Sequence, residues 1–131
     1  MKISVDTNVL VRAVLQDEPK QAKIAADALK KATLIAISTP CLCEFAWVLM
    51  RGANKTKEEV SAAIRALLDT SQVEMNRPAV EAGLAVLEAG GDFADGVIAY
   101  EGAWLGGETF CSFDKQAIGL LKKQGVATRQ L

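Results

Sequence analysis

The chain has 131 residues, half of them hydrophobic, which is enough for one compact domain and too few for two ordinary ones. Its 15 Lys and Arg residues nearly balance 16 Asp and Glu residues, so the net charge of −1 gives no whole-chain signature of nucleic-acid binding. Histidine is absent, which excludes imidazole catalysis, Ser–His and Cys–His nucleophile pairs and most zinc hydrolase sites. Any hydrolysis must therefore use carboxylates, a metal ion or lysine.

The cysteines and the N-terminal segment bear on where the protein works. Cys41, Cys43 and Cys111 are odd in number, form no zinc-type CxxC pair and lie in apolar segments, so we predict reduced, structural thiols. The opening MKISVDTNVL lacks the pattern of a signal peptide. No run of about 18 apolar residues is present, so we expect a cytoplasmic protein without membrane association.

The first half of the chain alternates short apolar runs with helical patterns. Residues 2–6 predict a strand that ends in an acid and leads directly into a helix. Residues 19–32 predict a surface helix with one buried stripe, and residues 34–38 predict a buried strand. Thr39 and Pro40 favour the start of a helix that runs to about residue 52. A capping-box pattern from Thr56 to Glu59 predicts a further helix through about residue 69.

The second half continues the same alternation. The predicted elements are a strand at 73–75, helices at 79–89 and 92–105, a strand at 109–113, a helix at 115–123 and an edge strand at 126–131. Strands separated by helices favour an α/β fold, with a mostly parallel central sheet of about four to five strands flanked by helices. We find no repeat or linker, so we expect a single domain over residues 1–131. Ligands of such sheets bind beyond the carboxyl ends of the strands.

Two acids end two predicted strands at that edge. Asp6 follows the first strand and Asp114 follows the fourth. Either residue alone could simply cap the helix after it, because Asp is a favoured N-cap. Their shared position favours a functional pair.

Glu44 lies within Cys41 to Met50, a helical segment that is apolar on nearly every side. We therefore expect a partly buried carboxylate, which is rare unless the group is paired or bound to a metal. A buried ion pair with Arg12 or Arg51 is the structural alternative.

Asp92 and Asp95 are three residues apart at the start of a predicted helix, so they share one face. Acids in a first turn can merely complement the helix dipole, and this alternative suits Asp92 better than Asp95. Several oxygen ligands without nitrogen or sulfur fit Mg²⁺ or Mn²⁺ better than zinc. Such an ion would screen the carboxylates from a phosphate ester and stabilise the leaving oxygen.

The sequence resembles the PIN-domain family and, within it, the VapC-type ribonuclease toxins of type II toxin–antitoxin pairs. The resemblance spans essentially the whole chain, and four short segments carry it: Val5 to Leu10, the helix around Glu44, Phe93 to Ala99, and Cys111 to Asp114. Gly96 departs from the family pattern, which usually has a better helix former such as Ala there. It costs helix stability of about 1 kcal/mol without threatening the chemistry.

The resemblance implies roles for individual residues. It assigns the catalytic, metal-binding acids to Asp6, Glu44, Asp95 and Asp114, with Asp6 and Asp95 as the most direct ligands. Asn8 and Ser112 become supporting or water-positioning groups, although Asn8 could equally start a helix and Ser112 belong to a strand. Asp92 occupies an extra acidic position often seen beside the four.

The resemblance also implies an activity and partners. The implied activity is Mg²⁺- or Mn²⁺-dependent endonucleolytic cleavage of RNA that leaves a 5′-phosphate and a 3′-hydroxyl. The implied partners are a second copy of the chain in a homodimer and a cognate antitoxin. A PIN-domain nuclease that processes RNA and is not a toxin, and an inactive binding module, stay open. An aspartyl-phosphate phosphohydrolase would need a second Asp two residues after Asp6, where the chain has Asn8.

Basic and aromatic residues give weaker indications about the substrate. Arg12 and Lys115 are the best candidates for contacts with RNA phosphates, although lone surface charges are common. Few aromatic residues are present, so the sequence predicts no stacking platform for bases. We expect Trp47 in the core, whereas Trp104 could be buried or could contact a partner.

Overall fold

A computed structural model describes all residues from Met1 to Leu131. The chain divides into two compact units, residues Met1–Asn76 and Arg77–Leu131. The strands are β1 (Lys2–Ser4), β2 (Leu34–Ala36), β3 (Val73–Glu74), β4 (Phe110–Ser112) and β5 (Thr128–Gln130). The helices are α1 (Thr7–Leu15), α2 (Pro19–Lys31), α3 (Thr39–Trp47), α4 (Lys57–Leu68), α5 (Arg77–Glu88), α6 (Phe93–Trp104) and α7 (Lys115–Lys123).

The first unit contains a parallel sheet of three strands in the order β1-β2-β3. Ile3 pairs with Ile35 of the central strand, and Ile35 pairs in turn with Val73. The helices α1 to α4 occur in this unit, and their largest fully buried side chains include Leu10, Leu42, Phe45 and Ile64. Parallel strands need such long helical connections, which explains the alternation in the sequence.

The second unit contains α5, α6 and α7 and a parallel pair of strands, β4 and β5. The pairing joins Phe110 to Thr128 and Ser112 to Gln130. The predicted α/β class with parallel strands is therefore confirmed. The strands form sheets of three and two, so the number in each sheet is lower than the four to five that we predicted for one sheet. The single domain over residues 1–131 stays a prediction.

The helix starts follow local capping chemistry. In α4, the Thr56 side chain accepts a hydrogen bond from the Glu59 N–H and the Glu59 side chain accepts one from the Thr56 N–H, which confirms the capping box. For α3 the cap is Ser38, whose Oγ accepts from the Cys41 N–H at 3.3 Å, one residue before the predicted Thr39. After Trp47 the helix continues as a π-helical turn, Val48–Gly52, and it ends at Gly52 as expected.

Gly96 has a packing role that the sequence did not indicate. A Cβ atom at this position would lie 2.2 Å from the backbone oxygen of Ala82 and 2.8 Å from the Cα of Gly83. These atoms belong to α5, so the missing side chain allows α5 and α6 to approach closely. Gly83 faces the same contact, since a Cβ there would lie 2.6 Å from the Phe93 ring. The intrinsic cost of Gly96 in a helix is thus offset by close helix packing.

Gly96→Ala is expected to lower the free energy of unfolding by about 1–3 kcal/mol, because the new methyl group would overlap backbone atoms that cannot rotate away. Gly102→Ala in the same helix is the matched control, since nothing lies within 4 Å of its Cβ position. There the better helix propensity of alanine should raise stability by up to about 1 kcal/mol. Urea denaturation measures both changes, and stabilisation by Gly96→Ala would contradict this packing.

None of the helices is long and apolar enough to span a membrane.

Candidate active site

Asp6 lies at the N-cap of α1, directly after β1. Its Oδ1 accepts a hydrogen bond from the Val9 N–H at 3.3 Å, so the capping alternative is correct for this oxygen. The side chain is exposed and its second carboxylate oxygen makes no hydrogen bond. Capping therefore fixes the carboxyl group and leaves one oxygen for a ligand.

Glu44 is exposed, so the expected partial burial is wrong. The ion-pair alternative is wrong as well, because Arg12 pairs with Asp17 at 2.9 Å and Arg51 forms no salt bridge with Glu44. The buried face of α3 contains Cys41, Leu42, Phe45 and Ala46, and Glu44 lies outside that set. A helix with apolar residues on every side gives no indication of which side faces solvent, so the sequence could not predict the exposure of Glu44.

A contact between a hydroxyl and a thiol joins α1 to α3 beside these two acids. The buried Thr7 hydroxyl donates to Cys41 Sγ at 3.9 Å. Burial raises the pKa of the Cys41 thiol, the hydrogen bond from Thr7 opposes this shift, and the charges of Asp6 and Glu44 raise it further. Both carboxylates thus act on one thiol, so the first unit brings Asp6 and Glu44 near each other. No spacing rule in the sequence links Thr7 to Cys41, and only the structure shows that they are neighbours.

Asn8 and Arg12 lie one turn apart on α1. Both line a groove of about 410 Å³, together with residues of α2 such as Gln21 and Ile24. Asn8 is exposed at the second position of the helix, which agrees with its helix-start alternative. The Arg12 guanidinium is bound to Asp17, so a phosphate would have to compete with this exposed salt bridge, which is worth little.

In the second unit, Asp92 and Asp114 act electrostatically on Asp95. Asp95 lies in the first turn of α6 and is partly buried, and Asp92 precedes this helix as its N-cap without making a side-chain capping bond. Burial raises the pKa of Asp95, and the charges of Asp92 and then Asp114 raise it further. A carboxyl group in this position is hard to ionise unless a cation is near.

Asp114 is the N-cap of α7, and its Oδ1 accepts from the Ala117 N–H at 3.1 Å. Ser112 supports it, since Ser112 Oγ accepts from the Asp114 N–H at 2.9 Å and closes a turn with Phe113 at its apex. Lys115, the first residue of α7, is exposed beside this acid. Ser112 is a residue of β4, as the strand alternative predicted, and its hydroxyl also accepts the hydrogen bond from Asp114.

The side chains offer oxygen ligands to a metal ion. Within each unit, no three Asp, Glu, Cys or His side chains stand together in a geometry that would hold a metal ion. The available donors are carboxylates, and no basic side chain is among the groups that shift the pKa of Asp95. This chemistry fits a hard divalent cation such as Mg²⁺ or Mn²⁺.

A family comparison identifies the chain. The profile of the PIN domain matches residues 3–118, which include Asp6, Glu44, Asp95 and Asp114. The chain belongs to the PIN-domain family. PIN domains are generally nucleases and typically use divalent metal ions. A search of curated proteins finds no match to this PIN domain.

Two aromatic side chains that flank the acids of this PIN domain are exposed. Trp47, which we predicted in the core, is 63% exposed, and Phe113 is 79% exposed. Trp104, at the end of α6, is 76% exposed, and its Nε1 donates to the Tyr100 hydroxyl at 2.6 Å. The spacing of three residues between Glu44 and Trp47 was the signal available in the sequence, because such residues share a helix face.

Asp95→Asn is expected to stabilise the metal-free protein at pH 7. Because the pKa of Asp95 is raised in the folded protein, its ionisation opposes folding. This penalty grows as pH rises from the ordinary pKa of the unfolded state to the raised pKa of the folded state, and it is complete above the raised pKa. Asparagine cannot ionise, so the gain in stability should disappear at about pH 3, where the carboxyl group is also protonated in the unfolded state. Urea unfolding in EDTA at the two pH values measures the difference.

Asp27→Asn, at an exposed position of α2, provides the control and should leave stability unchanged at both pH values. A gain for Asp95→Asn that is equal at the two pH values would contradict the electrostatic explanation.

Proposed function

We propose that this PIN domain is a Mg²⁺- or Mn²⁺-dependent endoribonuclease whose catalytic and metal-binding residues are Asp6, Glu44, Asp95 and Asp114. The observation that carries the proposal is the partly buried Asp95, whose pKa is raised by burial and then by the charges of Asp92 and Asp114, within the segment that matches the PIN-domain family. Perturbed acids of this kind concentrate at functional sites.

The helix caps support this assignment. Asp6 and Asp114 each use one carboxylate oxygen to accept a backbone N–H, and this bond holds the carboxyl group in place. The other oxygen is available to a ligand. Both acids also lie at the N-terminal end of a helix, where the helix dipole is positive. Asp92 has a carboxylate without a capping bond and is proposed as an auxiliary ligand.

A divalent cation, when bound by these carboxylates, supplies positive charge against the phosphate and lowers the pKa of a water. The chain's own residues do the rest. One of the four carboxylates accepts a proton from the attacking water, and the new bond forms at phosphorus as the bond to the 3′ oxygen breaks. The departing 3′ oxygen takes up a proton from solvent water. The products are a 5′-phosphate and a 3′-hydroxyl.

Other side chains orient the substrate and the acids in this proposal. Lys115 lies next to Asp114 at the start of α7 and would contact an RNA phosphate, as would Arg12 after release from Asp17. Ser112 holds the turn that presents Asp114. Asn8, one turn before Arg12, would position a water or a phosphate oxygen.

Asp6→Asn and Asp95→Asn are each expected to abolish cleavage while the protein stays folded. Asparagine caps a helix as well as aspartate does, so Asp6→Asn removes a charge and keeps the Val9 hydrogen bond. The measurement incubates purified protein with total bacterial RNA in Mg²⁺ or Mn²⁺ and maps the new ends by sequencing.

EDTA and Asp27→Asn complete that experiment as matched controls. Discrete ends should vanish in EDTA and persist with Asp27→Asn, whose exposed side chain on α2 lies outside the proposed set. Cleavage at the parental rate by either active-site variant would overturn the assignment of its acid.

We further propose that the chain is the toxin of a toxin–antitoxin pair, that it works in the cytoplasm as a homodimer, and that a cognate antitoxin blocks it. This choice follows from the resemblance of the sequence to the VapC-type toxins, and a PIN-domain nuclease that processes RNA is its alternative.

Expression of the chain in a bacterial host should arrest growth, because cleavage of cellular RNA stops protein synthesis. Expression of Asp95→Asn should not arrest it. Growth curves after induction measure the effect, with antitoxin co-expression as the rescue. Normal growth despite confirmed RNA cleavage in vitro would favour a processing nuclease.

A further inference from the structure

Three aromatic side chains of the chain are largely exposed, and they differ in their neighbours. Trp47 is 63% exposed, Trp104 is 76% exposed and Phe113 is 79% exposed. Trp47 follows Glu44 by three residues on α3, and Phe113 lies between Ser112 and Asp114. Trp104 lies at the opposite end of α6 from Asp95. Aromatic rings bury much apolar surface when they find a partner, so an exposed ring beside a proposed catalytic acid is available to a ligand.

The relation between Trp47 and Glu44 is fixed by helix geometry. Residues three apart on an α-helix are neighbours, with Cβ atoms about 5–6 Å apart. Both side chains are exposed, whereas Cys41, Leu42 and Phe45 form the buried face of the same helix. The indole is therefore an open, flat apolar surface next to a carboxylate that we place at the scissile phosphate.

A basic side chain continues this surface. Arg51 lies in the π-helical turn that follows Trp47, and its side chain is exposed and forms no salt bridge. A carboxylate, an aromatic ring and a guanidinium thus follow one another along one helix. These groups match the three parts of an RNA chain around a cut, namely the reacting phosphate, a base and a neighbouring phosphate.

We propose that Trp47 is a base-stacking residue of the nuclease, and that its indole packs against one unpaired base beside the phosphodiester that is cut. The proposal rests on the proposed function and adds a determinant of substrate choice. We commit to Trp47 because the helix fixes its spacing from Glu44, whereas Phe113 lies at a bend. Stacking tolerates any base, so Trp47 selects an unpaired nucleotide and not a particular base.

The first test uses the fluorescence of the indole itself. The chain has two tryptophans, so Trp104→Phe leaves Trp47 as the only one, and Trp47→Phe leaves Trp104. Both variants also carry Asp95→Asn, which stops cleavage during a titration. A single-stranded RNA oligonucleotide that the parental protein cuts should quench Trp47 emission and leave Trp104 emission unchanged. The same oligonucleotide in a duplex should quench Trp47 weakly, since its bases are already stacked.

The second test measures RNA affinity by fluorescence anisotropy in the Asp95→Asn background. Trp47→Ala should weaken binding about 5- to 150-fold, as loss of one base stack does, and Trp47→Phe should retain most of the affinity. Trp104→Ala is the matched control and should leave affinity unchanged. An oligonucleotide with one abasic nucleotide at the stacked position should bind the protein with Trp47 more weakly, by the same factor. The Trp47→Ala variant should bind the abasic and the intact oligonucleotide with equal affinity.

Several results would overturn the proposal. The first is equal quenching of Trp47 and Trp104 emission, and the second is an unchanged RNA affinity of Trp47→Ala. The third is an additive loss of affinity when Trp47→Ala binds the abasic RNA. Unquenched Trp47 together with conversion of a dimer to a monomer by Trp47→Ala would assign this surface to a second copy of the chain. If any of these results holds and the parental protein still cuts RNA, only the proposed role of Trp47 is wrong. If the parental protein cuts no RNA, the proposed function is wrong as well.

Discussion

Repulsion between carboxylates is the constraint on which the candidate site depends. Asp95 is harder to ionise than an ordinary aspartate because it is partly buried and because Asp92 and Asp114 are near. Histidine is absent, so no imidazole can share this charge, and no basic side chain is among the groups that shift the pKa of Asp95. Within the same unit, Asp114 accepts a backbone N–H bond at the start of α7, where the helix dipole is positive. A divalent cation, if these carboxylates bind one, would offset the remaining repulsion.

Close helix packing gives this electrostatic arrangement a rigid support. Asp95 stands immediately before Gly96, and Gly96 approaches the backbone of α5 more closely than any side chain would allow. The position of α6, and with it the position of the Asp95 carboxyl group, therefore follows from contacts between backbones. The glycine that weakens the helix locally is thus the residue that lets α6, which carries Asp95, pack closely on α5.

Local signals in the sequence were sufficient for the elements and for part of the site. The capping box at Thr56, the Thr39–Pro40 pair and the break at Gly52 predicted helix limits within a residue or two, because capping depends on neighbours in the chain. The exposure of Glu44 and Trp47 could not be read in this way. Their helix is apolar on nearly every side, so its pattern does not define a solvent face, and only packing in three dimensions decides which residues remain outside. The role of Gly96 was hidden for the same reason, since a helix propensity describes one helix and the contact involves two.

The near-neutral charge of the chain looks different once the acids are assigned a cation. If Asp6, Glu44, Asp95 and Asp114 hold divalent metal, 12 of the 16 acidic residues are left to face 15 basic ones, and the remaining surface is mildly positive. The same carboxylates that would repel an RNA phosphate in the metal-free protein then attract it through the cation, so binding of metal and binding of RNA must favour each other. A modest positive surface cannot hold RNA by charge alone under physiological salt, because each phosphate contact weakens as salt rises. Affinity from a stacked base depends little on salt, and an exposed indole beside Glu44 is therefore the kind of contact that a nearly neutral nuclease needs.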